Sequence, residues 1–367
     1  MAKELMLAII CRATYWSKKM KNSKLPYLLI VLLTIWCLIL SSILYNNYKE
    51  NTEKEVINEY DVSGFSTDFT KVIDEHKASI VTINCDGTIS SGFVYKQIDN
   101  KVYILTSYHG VTGTHINVSF SNVYSTKASL IDKDQYLDLA VLEIETPYNI
   151  ETLSLGDSSI VSSGEFVITI GTPSSSDLSG SVEMGMISAD NRVIENSITI
   201  DEKVINYYLD VLQLSGNLQS GYSGSPVINM NGEIIGMVTM NATNNINFAI
   251  TANEIKYVAD KIINQEELSK YQFGIKGKYI KDMDNYVKAN LNIAIDTISG
   301  LYVDKVMDSS IASSVGIKSG DIVLTINDID INDINDYFKA AYTKAEIIKF
   351  VVLRGQDKVT LLVNNDA

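Results

Sequence analysis

The run Gly221-Tyr222-Ser223-Gly224-Ser225-Pro226 concentrates turn-forming and hydroxyl residues. A serine between glycines can occupy a tight turn in which the backbone N–H groups of Gly221 and Ser223 aim at one point beside the hydroxyl. That arrangement is an oxyanion hole, and each donor contributes roughly 3 kcal/mol to acyl transfer. Taken alone the run also fits a plain loop, because the chain is rich in serine. A serine nucleophile needs a base, and the chain offers His76, His109 and His115. His109 follows the apolar run from Tyr103, at a strand end where side chains line clefts. His76 lies in the charged stretch IDEHKAS and His115 among polar residues, so both read as solvated surface histidines. The third partner is a carboxylate that fixes the imidazole tautomer. Asp138 opens the apolar run to Ile144, where an acid at the edge of a buried strand needs a partner. Asp132 and Asp134 read as solvated loop acids.

These side chains must be held by a scaffold, and the middle of the chain supplies one. From about residue 78 to 250, short apolar or alternating runs are separated by turn residues such as Asp86-Gly87, Gly156-Asp157 and Asn231-Gly232. Many strands without intervening helices predict an all-β barrel or sandwich, and this length suffices for two small barrels. Thr251 and Glu254 then form a capping box, with Glu254 reaching back to the cap, ahead of a helix over 252–266. The remainder predicts a small α+β domain. Its short helix at 309–315 ends at Gly316, a second helix covers about 332–344, and strands run over Ile347–Leu353 and Val359–Val363.

The N-terminus differs in kind. Residues 26–45 form an uncharged apolar run long enough, at 1.5 Å per residue, to span the hydrocarbon core. Six basic residues and one acid precede it. The positive-inside rule therefore predicts a cytoplasmic N-terminus, a transmembrane helix and an extracytoplasmic bulk. A cleaved signal peptide fits less well, since the run is long and no A-x-A site follows. Residues 46–68 are polar and read as a juxtamembrane linker. The net charge of −14 over 367 residues lacks the basic footprint of a nucleic-acid binder. Cys11, Cys37 and Cys85 fall before, within and beyond the apolar run, which excludes an intramolecular disulfide. No Cys/His cluster has zinc spacing, so neither a metal nor a cofactor is expected.

The order His109…Asp138…Ser223 is that of chymotrypsin-like enzymes, and the surrounding motifs resemble the HtrA (DegP/DegS-like) family of PDZ-containing serine endopeptidases. The family's T-x-x-H-V resembles the stretch from Thr106 through His109 to Val111, and D-x-A-V-L-x-I resembles Asp138–Ile144. G-E-x-V-x-x-I-G-x-P resembles Gly164–Pro173, and G-x-I-S-A resembles Gly185–Ala189. G-N-S-G-G-P is matched in part by Gly221–Pro226, with Tyr222 replacing Asn and Ser225 replacing the second Gly. If that second Gly requires positive φ, Ser225 strains the turn.

The resemblance implies a chymotrypsin-like double β-barrel over 69–266 and a PDZ domain over 267–367. It also implies nucleophile Ser223, base His109, orienting Asp138 and an oxyanion hole at Gly221 and Ser223. Asn217 and Leu218 would line a pocket for a small or medium apolar residue. Phe273, Gly274 and Ile275 would form the loop that receives peptide C-termini. Unfolded or regulatory proteins as substrates and a homotrimeric assembly follow from the same resemblance. The altered Tyr222 and Ser225 leave an alternative, a catalytically silent membrane-anchored peptide sensor. A general chaperone is a third class and would require larger assemblies.

Overall fold

The computed structural model describes Trp36, 39–42, 69–121, 123–200, 202–242, 246–268 and 270–364. Of the apolar run 26–45 only Trp36 and 39–42 are included, as helix. The rest of that run, the basic segment 1–25 and the linker 46–68 lie outside the described residues. Among the described residues no helix is long and apolar enough to cross a membrane. The chain divides into a unit up to Asp68 and a compact unit from Phe69 to Ala367.

The compact unit begins with a short helix, α1 (Phe69–His76), which leads into six strands: β1 (Ile80–Cys85), β2 (Thr88–Ile98), β3 (Lys101–Ser107), β4 (Ile116–Phe120), β5 (Tyr124–Asp134) and β6 (Leu139–Glu145). They close into an antiparallel barrel in the order β1-β2-β3-β6-β5-β4. The β1–β2 hairpin turns at Asp86-Gly87, with φ of 48° and 93°, the left-handed pair that a type I′ turn requires. On β3, Val102 and Ile104 point into this barrel, while Tyr103 and Leu105 join the larger core outside it. Both faces are covered, so the strand reads as a continuous apolar run instead of alternating.

Six further strands form the second barrel: β7 (Phe166–Gly171), β8 (Ser181–Ile200), β9 (Lys203–Leu214), β10 (Pro226–Asn229), β11 (Ile234–Ala242) and β12 (Ile246–Thr251). Their closed order is β10-β11-β12-β9-β8-β7. Helix α2 (Ala252–Ile263) comes next, and the Thr251 side chain accepts the Glu254 N–H as the capping box predicts. The Glu254 carboxylate meets the Thr251 hydroxyl at 3.3 Å. The helix ends before residue 266 because the chain turns at Asn264, and Gln265 takes a φ of 58°.

The C-terminal part is a sheet of β13 (Ile275–Tyr279), β14 (Leu301–Val306), β15 (Ile322–Ile326), β16 (Ile329–Asp330), β17 (Ile347–Arg354) and β18 (Asp357–Asn364). Helices α3 (Asn285–Asn290), α4 (Ile311–Ser314) and α5 (Ile334–Ala341) cover it. The sheet order is β13-β14-β15-β17-β18, with β16 paired to β15. Gly316, at φ 80°, ends α4 as expected.

One apolar cluster runs from both barrels through Ile255, Val258 and Ile262 of α2 into Phe338, Tyr342 and Phe350. The barrels and the C-terminal sheet therefore share a continuous core. Asp134 reflects this sharing. It is buried, not a solvated loop acid, and accepts hydrogen bonds from the Leu137 N–H and from the Tyr342 hydroxyl beyond α5. The partner that buries it lies about two hundred residues downstream in sequence, where no local pattern announces it.

Candidate active site

Asp138 sits just before β6 at a φ of 55°, a left-handed conformation that short polar residues tolerate. Its Oδ1 accepts the His109 backbone N–H at 2.9 Å. Its Oδ2 lies 2.7 Å from His109 Nδ1 and accepts the Thr239 hydroxyl at 2.6 Å. A carboxylate only accepts, so Nδ1 carries the proton and Nε2 of the neutral ring is left as the basic nitrogen. The hydrogen bond to Asp138 raises the His109 pKa above its ordinary value, and burial opposes the rise. Thr239 also links the pair to Ser223, because its carbonyl accepts the Ser223 hydroxyl at 3.2 Å. Among the described residues no hydrogen bond joins Ser223 Oγ to His109.

The loop carrying Ser223 is fixed peptide by peptide. The Ser220 carbonyl accepts the Ser174 N–H at 2.8 Å. A planar trans peptide points its N–H opposite to its carbonyl, so the Gly221 N–H turns away from Ser174. The Tyr222 carbonyl accepts the Ser225 N–H at 2.8 Å, which directs the Ser223 N–H the other way. Ser91 on β2 holds both remaining carbonyls: its hydroxyl donates to Gly221 at 2.7 Å and its N–H to Ser223 at 2.9 Å. Among the described residues the Gly221 and Ser223 amides have no protein acceptor, whereas the Tyr222, Gly224 and Ser225 amides do. Gly221 and Gly224 take φ of 100° and 85°, and a Cβ on either would lie within 2.3 Å of a backbone oxygen. Ser225 has no positive φ, so the strain expected there does not arise.

His109, Asp138, Ser223 and Thr239 border one cleft of about 610 Å³, together with Ser220, Tyr207 and the Asn196–Thr199 stretch of β8. The arrangement brings a hydroxyl and an oriented imidazole to one cleft, and the loop that carries the hydroxyl holds the two acceptor-free amides. Residues 90–237 match the trypsin-like peptidase domain and residues 262–353 the PDZ domain. The chain is 29% identical over 286 residues to the serine protease Do-like HtrA of Bacillus subtilis (strain 168), covering 75% of this chain and 63% of the relative. It is 31% identical over 264 residues to HtrB of the same organism, covering 70% and 57%. The HtrA-type protease AlgW with a tripeptide superposes at a TM-score of 0.57 and 23% identity, over 81% of this chain and 96% of that one. The chain pairs a trypsin-like peptidase domain with a PDZ domain and is similar to HtrA proteases. It spans about three fifths of the length of these two curated relatives.

Other residues expected from the HtrA resemblance are placed less openly. Leu218 is buried in the second barrel's core. Asn217 is exposed, its N–H donating to Glu183 Oε1 at 3.0 Å. Neither borders the cleft. Phe273 is buried among Tyr271, Tyr337 and Phe350. Gly274 has a φ of 74°, and its carbonyl accepts the Met307 N–H. Gly274 and Ile275 line a pocket together with Tyr337 and Ala341 of α5 and Tyr208, Leu209 and Asp210 of β9. That pocket measures about 20 Å³, and Gly274 also borders a cavity of about 550 Å³ with Tyr207 and Met307.

His115 also pairs with an acid, Asp86, at 2.9 Å, but this pair is exposed at the first hairpin, and among the described residues no serine is hydrogen-bonded to it. His76 caps the end of α1, its ring nitrogens near the Val72 and Gly232 carbonyls. Ser91, Ser174 and Thr239 do not stand out in the sequence. Thr239, a hydroxyl in the apolar run of β11 with no exposed surface, carries the one sequence signal that could have found it: a buried hydroxyl must find a partner.

Proposed function

We propose that this chain is a serine endopeptidase working through a Ser-His-Asp acyl-enzyme mechanism. The observation that carries the reading is that the Asp138-oriented His109 and Ser223 border one cleft, with the acceptor-free Gly221 and Ser223 amides in the loop beside it. Ser223 Oγ leaves the Thr239 carbonyl, gives its proton to His109 Nε2 and attacks the scissile carbonyl carbon. The carbonyl oxygen becomes an oxyanion held by the Gly221 and Ser223 N–H groups. The imidazolium, stabilised by Asp138, returns the proton to the leaving amine, and the C–N bond breaks. Water then attacks the acyl-enzyme with His109 as base, releasing the acid and restoring Ser223.

The finer reading is a membrane-anchored enzyme facing outside the cytoplasm. The uncharged run 26–45 and its basic lead-in support it. Its substrates are unfolded or regulatory proteins, its activity responds to peptide C-termini at the PDZ domain, and it assembles as a homotrimer, all on the strength of family resemblance. The Tyr208–Asp210 stretch of β9 beside Gly274 and Ile275 supports a resting form in which entry of a peptide shifts that strand. Digestion of a denatured, fluorescently labelled protein by the wild type and by Ser223→Ala tests the activity. Cleavage by the wild type alone is expected, and equal cleavage by both would refute it.

A further inference from the structure

Tyr222 lies between the two amides of the oxyanion hole, so its peptide groups set the spacing of those amides. Its N–H donates to the Gln219 carbonyl at 3.2 Å and its carbonyl accepts from Ser225. These local bonds shape the turn. Hydrogen bonds from Ser91 on β2 and with Val238 on β11 hold the residues on either side, and the Tyr222 side chain adds an apolar tie to the second barrel. The ring is 4% exposed and is embedded in the second barrel's core with Val167, Ile187, Leu214, Val227 and Val238. Gly171 on β7 makes the room: a Cβ there would lie 2.8 Å from Tyr222 Cδ1 and 2.1 Å from Ser225 Oγ. Between Gln219 and Ser225 the other side chains are hydroxyls, hydrogens or an exposed amide, and none is a large apolar group. Tyr222 is therefore the apolar anchor of this loop, at the position where the family motif carries an asparagine that could not fill the same space.

We propose that Tyr222 is a positioning residue that holds the two amides of the oxyanion hole in the orientation the reaction needs. The inference rests on the serine-hydrolase reading above. A ring locked in a close-packed core leaves the flanking peptides one orientation. That is the one in which Ser174 and Ser91 hold the carbonyls away from the cleft. Without the ring, the peptide joining Ser220 to Gly221 is free to rotate and present the Ser220 carbonyl, which repels an oxyanion.

The test uses the full chain with a peptide p-nitroanilide and a peptide boronic acid, comparing wild type, Tyr222→Phe, Tyr222→Ala and Tyr222→Leu. Removing one hole donor costs on the order of 100-fold or more in kcat, so partial loss of the hole in Tyr222→Ala is expected to lower kcat at least about tenfold. KM should stay within about threefold, and the boronate inhibition constant should rise in parallel with the fall in kcat. Tyr222→Phe, which keeps the ring, should restore both to within about twofold. A purely structural role would lower the melting temperature while leaving kcat and boronate affinity per folded molecule at wild-type values, and that result overturns the proposal. If Tyr222→Ala does not fold, Tyr222→Leu is judged by the same two readings. A wild-type chain that hydrolyses nothing and takes no boronate at Ser223 refutes the hydrolase reading instead, so the two failures are distinct.

Discussion

Asp138→Asn isolates the tautomer of His109. Three donors converge on the carboxylate: the His109 N–H on Oδ1, and His109 Nδ1 with the Thr239 hydroxyl on Oδ2. Asparagine keeps one acceptor oxygen and adds two N–H donors. With its oxygen toward the His109 N–H, every group is satisfied if the amide donates to Nδ1 and to Thr239 Oγ1. The reverse orientation sets two donors against each other. The favoured arrangement moves the ring proton to Nε2, which then cannot receive the Ser223 proton. Asparagine also tolerates the left-handed φ of 55° at this position, so the backbone need not move. The loss expected for a wrong tautomer is about 10⁴-fold in kcat, about 5 kcal/mol of barrier. Steady-state hydrolysis of a peptide p-nitroanilide at neutral pH reads the rate, and NMR titration of His109 reads the ring, whose pKa should fall once the partner that raises it is gone. A variant within about tenfold of wild type, with His109 titrating unchanged, would refute the assignment.

Thr239→Val removes a hydroxyl donor to Asp138 but leaves the backbone carbonyl that holds Ser223. Losing a charge-assisted hydrogen bond of about 1.5–3 kcal/mol predicts a fall in kcat/KM of roughly ten- to hundredfold without loss of fold, measured by kinetics alongside circular dichroism. The base must be neutral, so kcat/KM should rise with pH through a pKa above histidine's ordinary value, since the bond to Asp138 raises it. Burial pushes the Glu254 carboxyl up to about 8, with Lys270 opposing. The folded state thus holds a proton that the unfolded chain releases in the ordinary carboxylate range. Stability is fullest below that range and declines as pH rises towards about 8, and Glu254→Gln should flatten this slope in urea titrations at pH 5 and pH 8.5. Tyr342→Phe leaves Asp134 without a hydroxyl donor at the junction between barrel and C-terminal sheet. It should lower the urea midpoint, by about 1–3 kcal/mol of stability, with little change in kcat.

The strands, the hairpin at Asp86-Gly87, the cap at Thr251 and the order of His109, Asp138 and Ser223 were legible because each rests on local chemistry. Periodicity, turn conformers and a strand-edge acid are written within a few residues of one another. What was missed is non-local. Ser91, Ser174 and Thr239 matter through hydrogen bonds that span 16 to more than 100 residues, and serine is too common in this chain to stand out. Asp134 reads as a loop acid until Tyr342 arrives from the C-terminal domain. The substrate pocket and the peptide groove were carried by resemblance alone. The fold buries Leu218 and sets β9 beside Gly274 and Ile275, which no motif in either segment encodes.

The central claim is that Ser223 is a nucleophile activated by His109. Labelling the full chain with a fluorophosphonate and mapping the adduct by mass spectrometry tests it most directly. The account predicts one adduct, on Ser223, absent in Ser223→Ala and slowed at least a thousandfold in His109→Ala, on the scale of lost base catalysis. A folded chain that takes no label, or one whose Ser223 reacts equally fast without His109, would contradict it.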